Sequence, residues 1–350
     1  SALFRSVPTL FVSNTYPVHT SVATGVHPNT HKLIANTEPA PVADQVWISE
    51  EKYIKAQTVW QAAKERGIET ASVFWPVTAG SRSIRWNIPE VLARPGKSQL
   101  LTSLKAGSPL LQLRLFLRHR KLLRGTKQPN LDNFATACMV DILKEHKPGL
   151  ALIHLTAFDA LCHAHGKGSQ ELEAAREALE RNLNALLNAA GERDVLIFSD
   201  HSQINVHTVV VINRYIEDGY VECCGGSAFY HLDGVPSGST EKERGAKAKA
   251  VIEQTPGFRR FLTDEEMEIS GYGHAAFGFC AEAGYCYETH EKAEKANHGY
   301  PPDMPNYQVF YMAKGFGLPP GEHSGGSLLD IAGLVMRRMA QRRSTPMHNT

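Results

Sequence analysis

The chain has 350 residues, of which 42% are hydrophobic and 21% charged, and its formal net charge is +1 at pH 7. This is an ordinary globular composition, sufficient for a large core. The near-zero charge provides no field that would favour nucleic acid or a membrane surface. No apolar run approaches the roughly 18–20 residues that span a bilayer.

The numbers and spacing of cysteines and histidines indicate which kinds of metal or disulfide site the chain can form. None of the six cysteines forms a C-x-x-C pair, so free buried thiols are favoured over a disulfide framework or a zinc ribbon. Sixteen histidines, several beside carboxylates, indicate metal chemistry. No signal peptide is visible, but the sequence starts at Ser1 without Met. We therefore expect the true N-terminus to lie upstream, and both the cytoplasm and the periplasm stay open as locations.

The first candidate site lies where a predicted strand meets a predicted helix. The apolar run 9–12 predicts a strand, residues 19–23 open a helix, and Thr15 lies between them beside Pro17. A helix N-terminus offers unpaired N–H groups and the positive end of the helix dipole to an anion. A hydroxyl at this place is a candidate nucleophile if its pKa is lowered, although a structural Thr before Tyr-Pro is the default.

Asn36 follows the short apolar piece 32–35. Its amide could donate to an anion held near Thr15, or it could cap a turn, which the local sequence favours. Next, residues 47–67 predict a helix that stops at Gly67, and 71–75 predict a buried strand that stops at Pro76. This order is typical of a βαβ unit with a parallel sheet.

Residues 82–127 carry eleven Lys or Arg against a single acid, Glu90. We predict an insertion at 77–129 with a basic helix at 110–123. A solvated basic face is the default, and a basic lid over an anionic substrate is the alternative. Nucleic-acid binding is disfavoured because aromatic residues are not interleaved with the charges.

Two near-continuous apolar runs, 149–155 and 195–199, predict strands buried on both faces. Helices at 132–146 and from Ser169 to Gly191 flank the first of them. Metal-ligand side chains follow both strands: Asp159, His163, Asp200 and His201. Open α/β sheets place their sites at these carboxyl ends.

The sequence after about residue 207 predicts a second insertion, followed by the last elements of the core. The expected elements are a strand at 209–212, a hairpin at 220–233, a helix at 239–254, a hairpin at 276–288, a strand at 308–312, a helix at 328–339 and a frayed end after 342. His298 lies in a turn before the strand at 308–312. A carboxylate and an imidazole four residues apart, such as Asp159 and His163, share one side of a helical turn, and zinc prefers such ligands.

Four motifs occur in a fixed order. They are Thr-Tyr-Pro-x-His from residue 15, Asp-x-x-x-His-x-x-Gly from residue 159, Ser-Asp-His from residue 199 and His-Gly-Tyr from residue 298. From about residue 8 to 335, outside the two insertions, this pattern resembles the type I phosphodiesterase/nucleotide pyrophosphatase branch of the alkaline phosphatase superfamily. The resemblance implies an alkaline-phosphatase-like three-layer α/β sandwich with a mostly parallel central sheet.

By the same resemblance, Thr15 stands at the nucleophile and two zinc ions at the metal sites. Asp159, His163 and His298 stand at one zinc, and Asp200, His201 and Thr15 at the other. Asn36 stands at the phosphate-contacting Asn, and Tyr16 at an aromatic position that can stack on a nucleoside. The family's second zinc also uses an upstream Asp, which the sequence does not contain, and we expect it in a preceding strand. Val18 and Ser202 depart from the family's usual Asn and Gly.

The implied domains are a catalytic α/β core, 1–206 and 271–350, carrying the basic insertion 77–129, and a smaller cap-like insertion, 207–270. The implied function is phosphodiester or nucleotide pyrophosphate hydrolysis through a phospho-threonine intermediate, on a small phosphoester substrate. A phosphonoacetate hydrolase, a phosphomonoesterase and a metal-binding pseudoenzyme are the alternatives. The oligomeric state stays open.

Overall fold

The structure, a computed structural model, describes residues 2–38, 46–125, 127–232, 241–291 and 294–341. The strands are β1 (Ala2–Pro8), β2 (Thr70–Val73), β3 (Trp86–Ile88), β4 (Leu150–Ile153), β5 (Val195–Phe198), β6 (Ile204–Asn205), β7 (Thr208–Val211), β8 (Tyr220–Cys223), β9 (Ser227–His231), β10 (Phe258–Phe261), β11 (Phe277–Ala281), β12 (Tyr285–Glu288), β13 (Ala296–Asn297), β14 (Gln308–Lys314) and β15 (Gly321–Ser324). The helices are α1 (Thr15–Thr24), α2 (Pro28–His31), α3 (Val59–Glu65), α4 (Gln99–Ala106), α5 (Pro109–His119), α6 (Asn130–Glu145), α7 (Ala157–His165), α8 (Gln170–Ala190), α9 (Glu241–Ile252), α10 (Asp264–Ser270) and α11 (Asp330–Gln341).

The α/β class is confirmed, but the expectation of a mostly parallel central sheet needs correction. The larger sheet in the core has the order β15-β1-β14-β5, and β14 runs antiparallel to both β1 and β5. Gln308 pairs with Pro8, so β14 starts where β1 ends and has to run back along it. A fully parallel set, β3-β2-β4, forms a separate three-stranded sheet.

Strands β4 and β5 exist as predicted, but they are not buried on both faces. Each is the edge strand of its sheet, and their residues are half-buried or exposed. They flank a cavity of about 1220 Å³ whose lining includes Leu152, Leu196 and Thr15. An apolar run indicates a preference for burial, but it does not indicate what will cover each face.

The prediction of a strand at 9–12 is wrong, because the apolar residues of this run are buried without forming a strand. Strand β1 ends at Pro8, and the apolar run lies in the loop that leads to α1. Leu10, Phe11 and Val12 are buried there all the same, and the Phe11 ring lies 6.4 Å from that of Phe229. Helix α1 therefore begins at Thr15, earlier than the sequence predicted.

The predicted helix at 47–67 is much shorter. Helix α3 starts at Val59 because Thr58 and Gln61 form a reciprocal capping box, in which each side chain accepts from the other's backbone N–H. The helices α6 and α8 are confirmed, and Ser169 accepts from Leu172 N as the predicted N-cap.

Four of the strands that follow β5 form a separate antiparallel sheet, β10-β11-β9-β8. The predicted hairpin at 220–233 is confirmed as β8 and β9 over its described part. The predicted hairpin at 276–288 is wrong, because β11 pairs with β9 and β10, and β12 pairs in parallel with β7. The strand at 308–312 is confirmed as β14, and the segment after 342 lies outside the described residues.

The basic helix at 110–123 is confirmed as α5, and its arginines are paired within the structure. Arg114 lies 2.8 Å from Glu145, and Arg118 lies 2.6 Å from Asp141 on the neighbouring helix α6. These contacts favour the solvated, paired face over a lid. Across the described ranges, no helix combines the length and apolarity needed to cross a membrane. All six cysteines are free.

Candidate metal centre

Thr15 is the first residue of α1, and its hydroxyl points at a histidine far away in sequence. Thr15 Oγ1 lies 3.2 Å from His201 Nε2. The N-cap residue, Asn14, makes no capping bond with its side chain. Instead, Asn36 Oδ1 accepts the N–H of Tyr16 across 2.9 Å, so Asn36 lies beside Thr15 at the helix N-terminus. Residue 17 is a proline and has no N–H to satisfy.

Three of the predicted metal ligands form one compact group. Asp159 and His163 lie one turn apart on α7, with Asp159 Oδ1 3.4 Å from His163 Nε2. His298 reaches them from the residue after β13, and one ligand atom of each of the three lies within 4.8 Å of the others. His298 lies far from Asp159 and His163 along the chain, but it comes close to them because β13 packs against α7.

Asp200 and His201 follow β5 and join this group to Thr15. Asp200 Oδ2 lies 3.3 Å from His201 Nε2. The His201 ring stacks on that of His298 with 4.0 Å between centroids. The structure thus brings together every metal-ligand candidate that the sequence analysis named.

The chemistry of the donor set fits divalent zinc. Metal-ligating histidines usually donate their second ring N–H to a carbonyl or carboxylate. In this site His163 Nδ1 lies 2.8 Å from the Ala296 carbonyl, and His298 Nδ1 lies 3.1 Å from Asn14 Oδ1. Since these oxygens accept, each Nδ1 donates and each Nε2 is left for a cation.

The electrostatics of the first group favour a carboxylate that stays ionised. Burial would raise the pKa of Asp159, but its bond with His163 and the nearby His201 hold that pKa well below its usual range. Burial would lower the pKa of His163, but Asp159 and Glu294 raise it to about 10. Burial, followed by the charge of His201, lowers the pKa of His298.

Sequence reasoning missed two histidines and a glutamate at the same site. His19 Nδ1 lies 3.5 Å from Asp200 Oδ2, and its ring lies 4.4 Å from that of His154. His154 Nδ1 in turn lies 3.4 Å from Glu90 Oε2. The available signals were the position of His154 directly after β4 and the four-residue spacing of His19 from Thr15.

The aromatic surroundings also differ from expectation. Tyr16, predicted to stack on a nucleoside, is only 2% exposed and packs 5.1 Å from the Trp47 ring. Trp47 is 38% exposed and lines the same cavity as Thr15. Trp47 therefore offers more accessible aromatic surface in this cavity than Tyr16 does.

Solved structures share this fold at low sequence identity. Murine ectonucleotide pyrophosphatase/phosphodiesterase 5 matches with a TM-score of 0.67 and 16% identity, over 97% of this chain and 87% of that chain. Phosphonoacetate hydrolase from Sinorhizobium meliloti, in complex with phosphonoacetate, matches with a TM-score of 0.64 and 16% identity, over the same shares. These likenesses define the fold class of this chain, which it shares with both proteins.

Sequence comparison specifies the family. The family described as type I phosphodiesterase/nucleotide pyrophosphatase matches residues 3–269, and the chain belongs to it. Human ectonucleotide pyrophosphatase/phosphodiesterase family member 1 is 21% identical over 228 residues, which are 61% of this chain and 21% of that protein. The mouse counterpart gives the same identity. The chain thus spans about a fifth of the length of the curated relatives it matches.

Proposed function

We propose that this protein is a metal-dependent hydrolase that cleaves phosphodiester or nucleotide pyrophosphate bonds with Thr15 as the nucleophile. The observation that carries the proposal is the 3.2 Å approach of Thr15 Oγ1 to His201 Nε2. This approach brings a helix-terminal hydroxyl to the edge of a His/Asp cluster. Family membership supports phosphoester hydrolysis as the reaction class.

The ligands divide into two sets, which fit two zinc ions. Asp159, His163 and His298 would hold the first, and Asp200, His201 and Thr15 the second. A bound zinc would lower the pKa of the hydroxyl and offset negative charge on the phosphoryl oxygens.

The chain's own residues account for the remaining steps. Thr15 Oγ forms a bond to phosphorus while the bond to the leaving oxygen breaks. Water then attacks the phospho-threonine, which frees the phosphate product and restores the hydroxyl. The Asn36 amide, held at the helix N-terminus by its bond to Tyr16 N, donates to a non-bridging oxygen as charge develops there.

A nucleotide substrate is the first candidate. An inactive variant of the murine protein is solved in complex with AMP, with a TM-score of 0.69 and 16% identity over 97% of this chain and 87% of that chain. In this chain the exposed Trp47 ring supplies a surface on which a base could stack. A phosphonate substrate is the second candidate, supported by the phosphonoacetate complex of the bacterial neighbour.

The test is turnover of a nitrophenyl phosphodiester by the zinc-loaded protein and by Thr15→Ala. We expect the substitution to abolish turnover while the zinc held by Asp159, His163 and His298 stays bound. Thr30→Ala, at an exposed position on α2, is the matched control and should retain full activity. Full turnover by Thr15→Ala would end the nucleophile assignment. A panel of diester, monoester and phosphonate substrates separates the candidates, and zinc binding without any turnover would indicate a pseudoenzyme.

A further inference from the structure

Helix α5 carries a row of leucines on its outer side. Leu110, Leu113 and Leu117 are 84%, 42% and 58% exposed, and their spacing places them along one side of the helix. Leu111 and Leu115, which point the other way, are buried in the core. Helix α5 is therefore apolar towards solvent as well as towards the core, and packing within the chain does not account for the outer row.

The preceding helix, α4, adds two more exposed leucines, Leu100 and Leu101. All eight residues of α4 are at least partly exposed. Gln112 of α5 holds the two helices together, because its Nε2 donates to the Ser103 carbonyl oxygen across 2.9 Å and its Oε1 accepts from Ser103 Oγ. We call the five exposed leucines of α4 and α5 the leucine face. A single exposed leucine is ordinary, but a cluster of them marks a contact surface.

Unpaired cations flank the leucine face along the chain. Exposed Lys and Arg side chains precede α4, end it and follow α5, and no ion pair joins them to any residue within the described ranges. They are Arg94, Lys97, Lys105, Arg120, Lys121 and Arg124. Arg114 and Arg118, in contrast, are paired with acids of α6. The single acid of residues 82–127, Glu90, lies against His154. This surface is therefore positive, although the net charge of the chain is only +1.

A surface that is both apolar and positive distinguishes between possible partners. In a symmetric contact, a second copy of this chain would bring the same cations against each other. A nucleic acid would bind the cations, but leucines provide no aromatic ring on which its bases could stack. An anionic lipid surface suits both features, because its phosphates bind Lys and Arg while leucines enter the boundary of the acyl chains.

We propose that the leucine face docks this protein onto an anionic phospholipid surface, with the flanking Lys and Arg side chains bound to the headgroups. Helices α4 and α5 have 8 and 11 residues, so they lie along the surface and do not cross it. The proposal goes beyond the proposed function and does not rest on it, since docking requires neither Thr15 nor a metal ion.

The test is co-sedimentation of the whole chain with two kinds of vesicle, phosphatidylcholine alone and equal parts of phosphatidylcholine and phosphatidylserine. We expect binding to the anionic vesicles that weakens as salt is added, and much weaker binding to the neutral ones. Lys121→Gln and Arg124→Gln should each weaken binding by about 5-fold. Lys55→Gln, at an exposed position outside this segment, is the matched control and should bind like the wild type. A wild type that fails to bind anionic vesicles at low salt overturns the proposal.

The double variant Leu113→Gln/Leu117→Gln tests the part played by the leucines. Glutamine is a good helix former, so α5 should be retained. We expect binding to anionic vesicles to weaken by about 10-fold or more, because two apolar side chains no longer leave water. Leu187→Gln, at a similarly exposed position on α8, is the matched control and should bind normally. Wild-type binding by the double variant would leave only electrostatic attraction and overturn docking through the leucine face.

Two measurements on the unaltered chain guard against a variant that fails to fold. Amide hydrogen exchange across residues 99–119 should slow when anionic vesicles are added, and unchanged exchange there overturns the proposal. Sedimentation equilibrium without lipid should show that the leucine face does not join two chains. A dimer that the double variant dissociates would assign this face to a second copy and would likewise overturn the proposal.

Discussion

Asn14 Oδ1 accepts a hydrogen bond from His298 Nδ1 across 3.1 Å, although the two residues are 284 positions apart. An Asn at a helix N-cap ordinarily accepts from its own helix. Asn14 makes no such bond, and its side chain is committed to the histidine instead. The N-terminus of α1 and the first metal group are therefore joined by one side chain.

Replacing Asn14 by Ala should weaken zinc binding at the first group by about 10–100-fold, because the outer partner of a metal-bound histidine fixes its orientation. Competition with a chromophoric chelator measures the affinity. Asn14→Asp keeps an acceptor oxygen and should lie closer to the wild type. Equal affinity in Asn14→Ala and the wild type would show that the bond does not orient His298.

Asn36 allows the two interpretations of that residue to be separated. Asn36→Asp keeps the oxygen that accepts from Tyr16 N but removes the amide N–H groups, whereas Asn36→Ala removes both. If the amide stabilises the transition state, both variants should lose about 100–1,000-fold in kcat. Thermal melts should show destabilisation in Asn36→Ala only. Normal kcat in Asn36→Asp would leave Asn36 as a cap alone.

The N-terminus of α10 offers a test of stability with a definite pH dependence. Glu266 accepts from Thr263 N in a capping box and lies 2.7 Å from Arg260. Burial would raise the pKa of Glu266, but the bonds with Arg260 and Thr263 lower it. A lowered pKa in the folded state stabilises the fold above the unfolded pKa, and this stabilisation is lost as pH falls through the folded value.

Glu266→Gln should therefore lower the free energy of unfolding by about 1 kcal/mol at pH 7 after screening by solvent. The difference from the wild type should shrink as the pH falls below about 4.5, the ordinary glutamate value. Urea unfolding at several pH values measures it. Glu265→Gln, an exposed neighbour in the same helical turn, should change little. A pH-independent difference would contradict the assigned cause.

The convergence of the metal ligands could be predicted because it depends on local rules. Asp159 and His163 share a face through helical spacing, and Asp200 follows a strand whose end reaches the site. The position of His154 beside His19 was not predictable, since a histidine at the end of an apolar run also suits a strand interior. Its other contact is with Glu90, which arrives from a distant segment.

The pairing of the strands could not be predicted from the sequence either. Residues 276–288 contain two strands with a turn between them, which is typical of a hairpin. Whether β11 pairs with β12 or with β9 depends on the competing edges that the rest of the chain offers. In the same way, an apolar run at 9–12 indicated burial correctly and extended structure wrongly.

The central claim is that Thr15 becomes phosphorylated during turnover, and the stereochemical course at phosphorus tests it most directly. The measurement is hydrolysis of a chiral phosphorothioate diester in isotopically labelled water by the zinc-loaded enzyme. Two successive in-line displacements, first by Thr15 and then by water, predict retention of configuration. Inversion would mean that water attacks the substrate directly, and it would contradict the account.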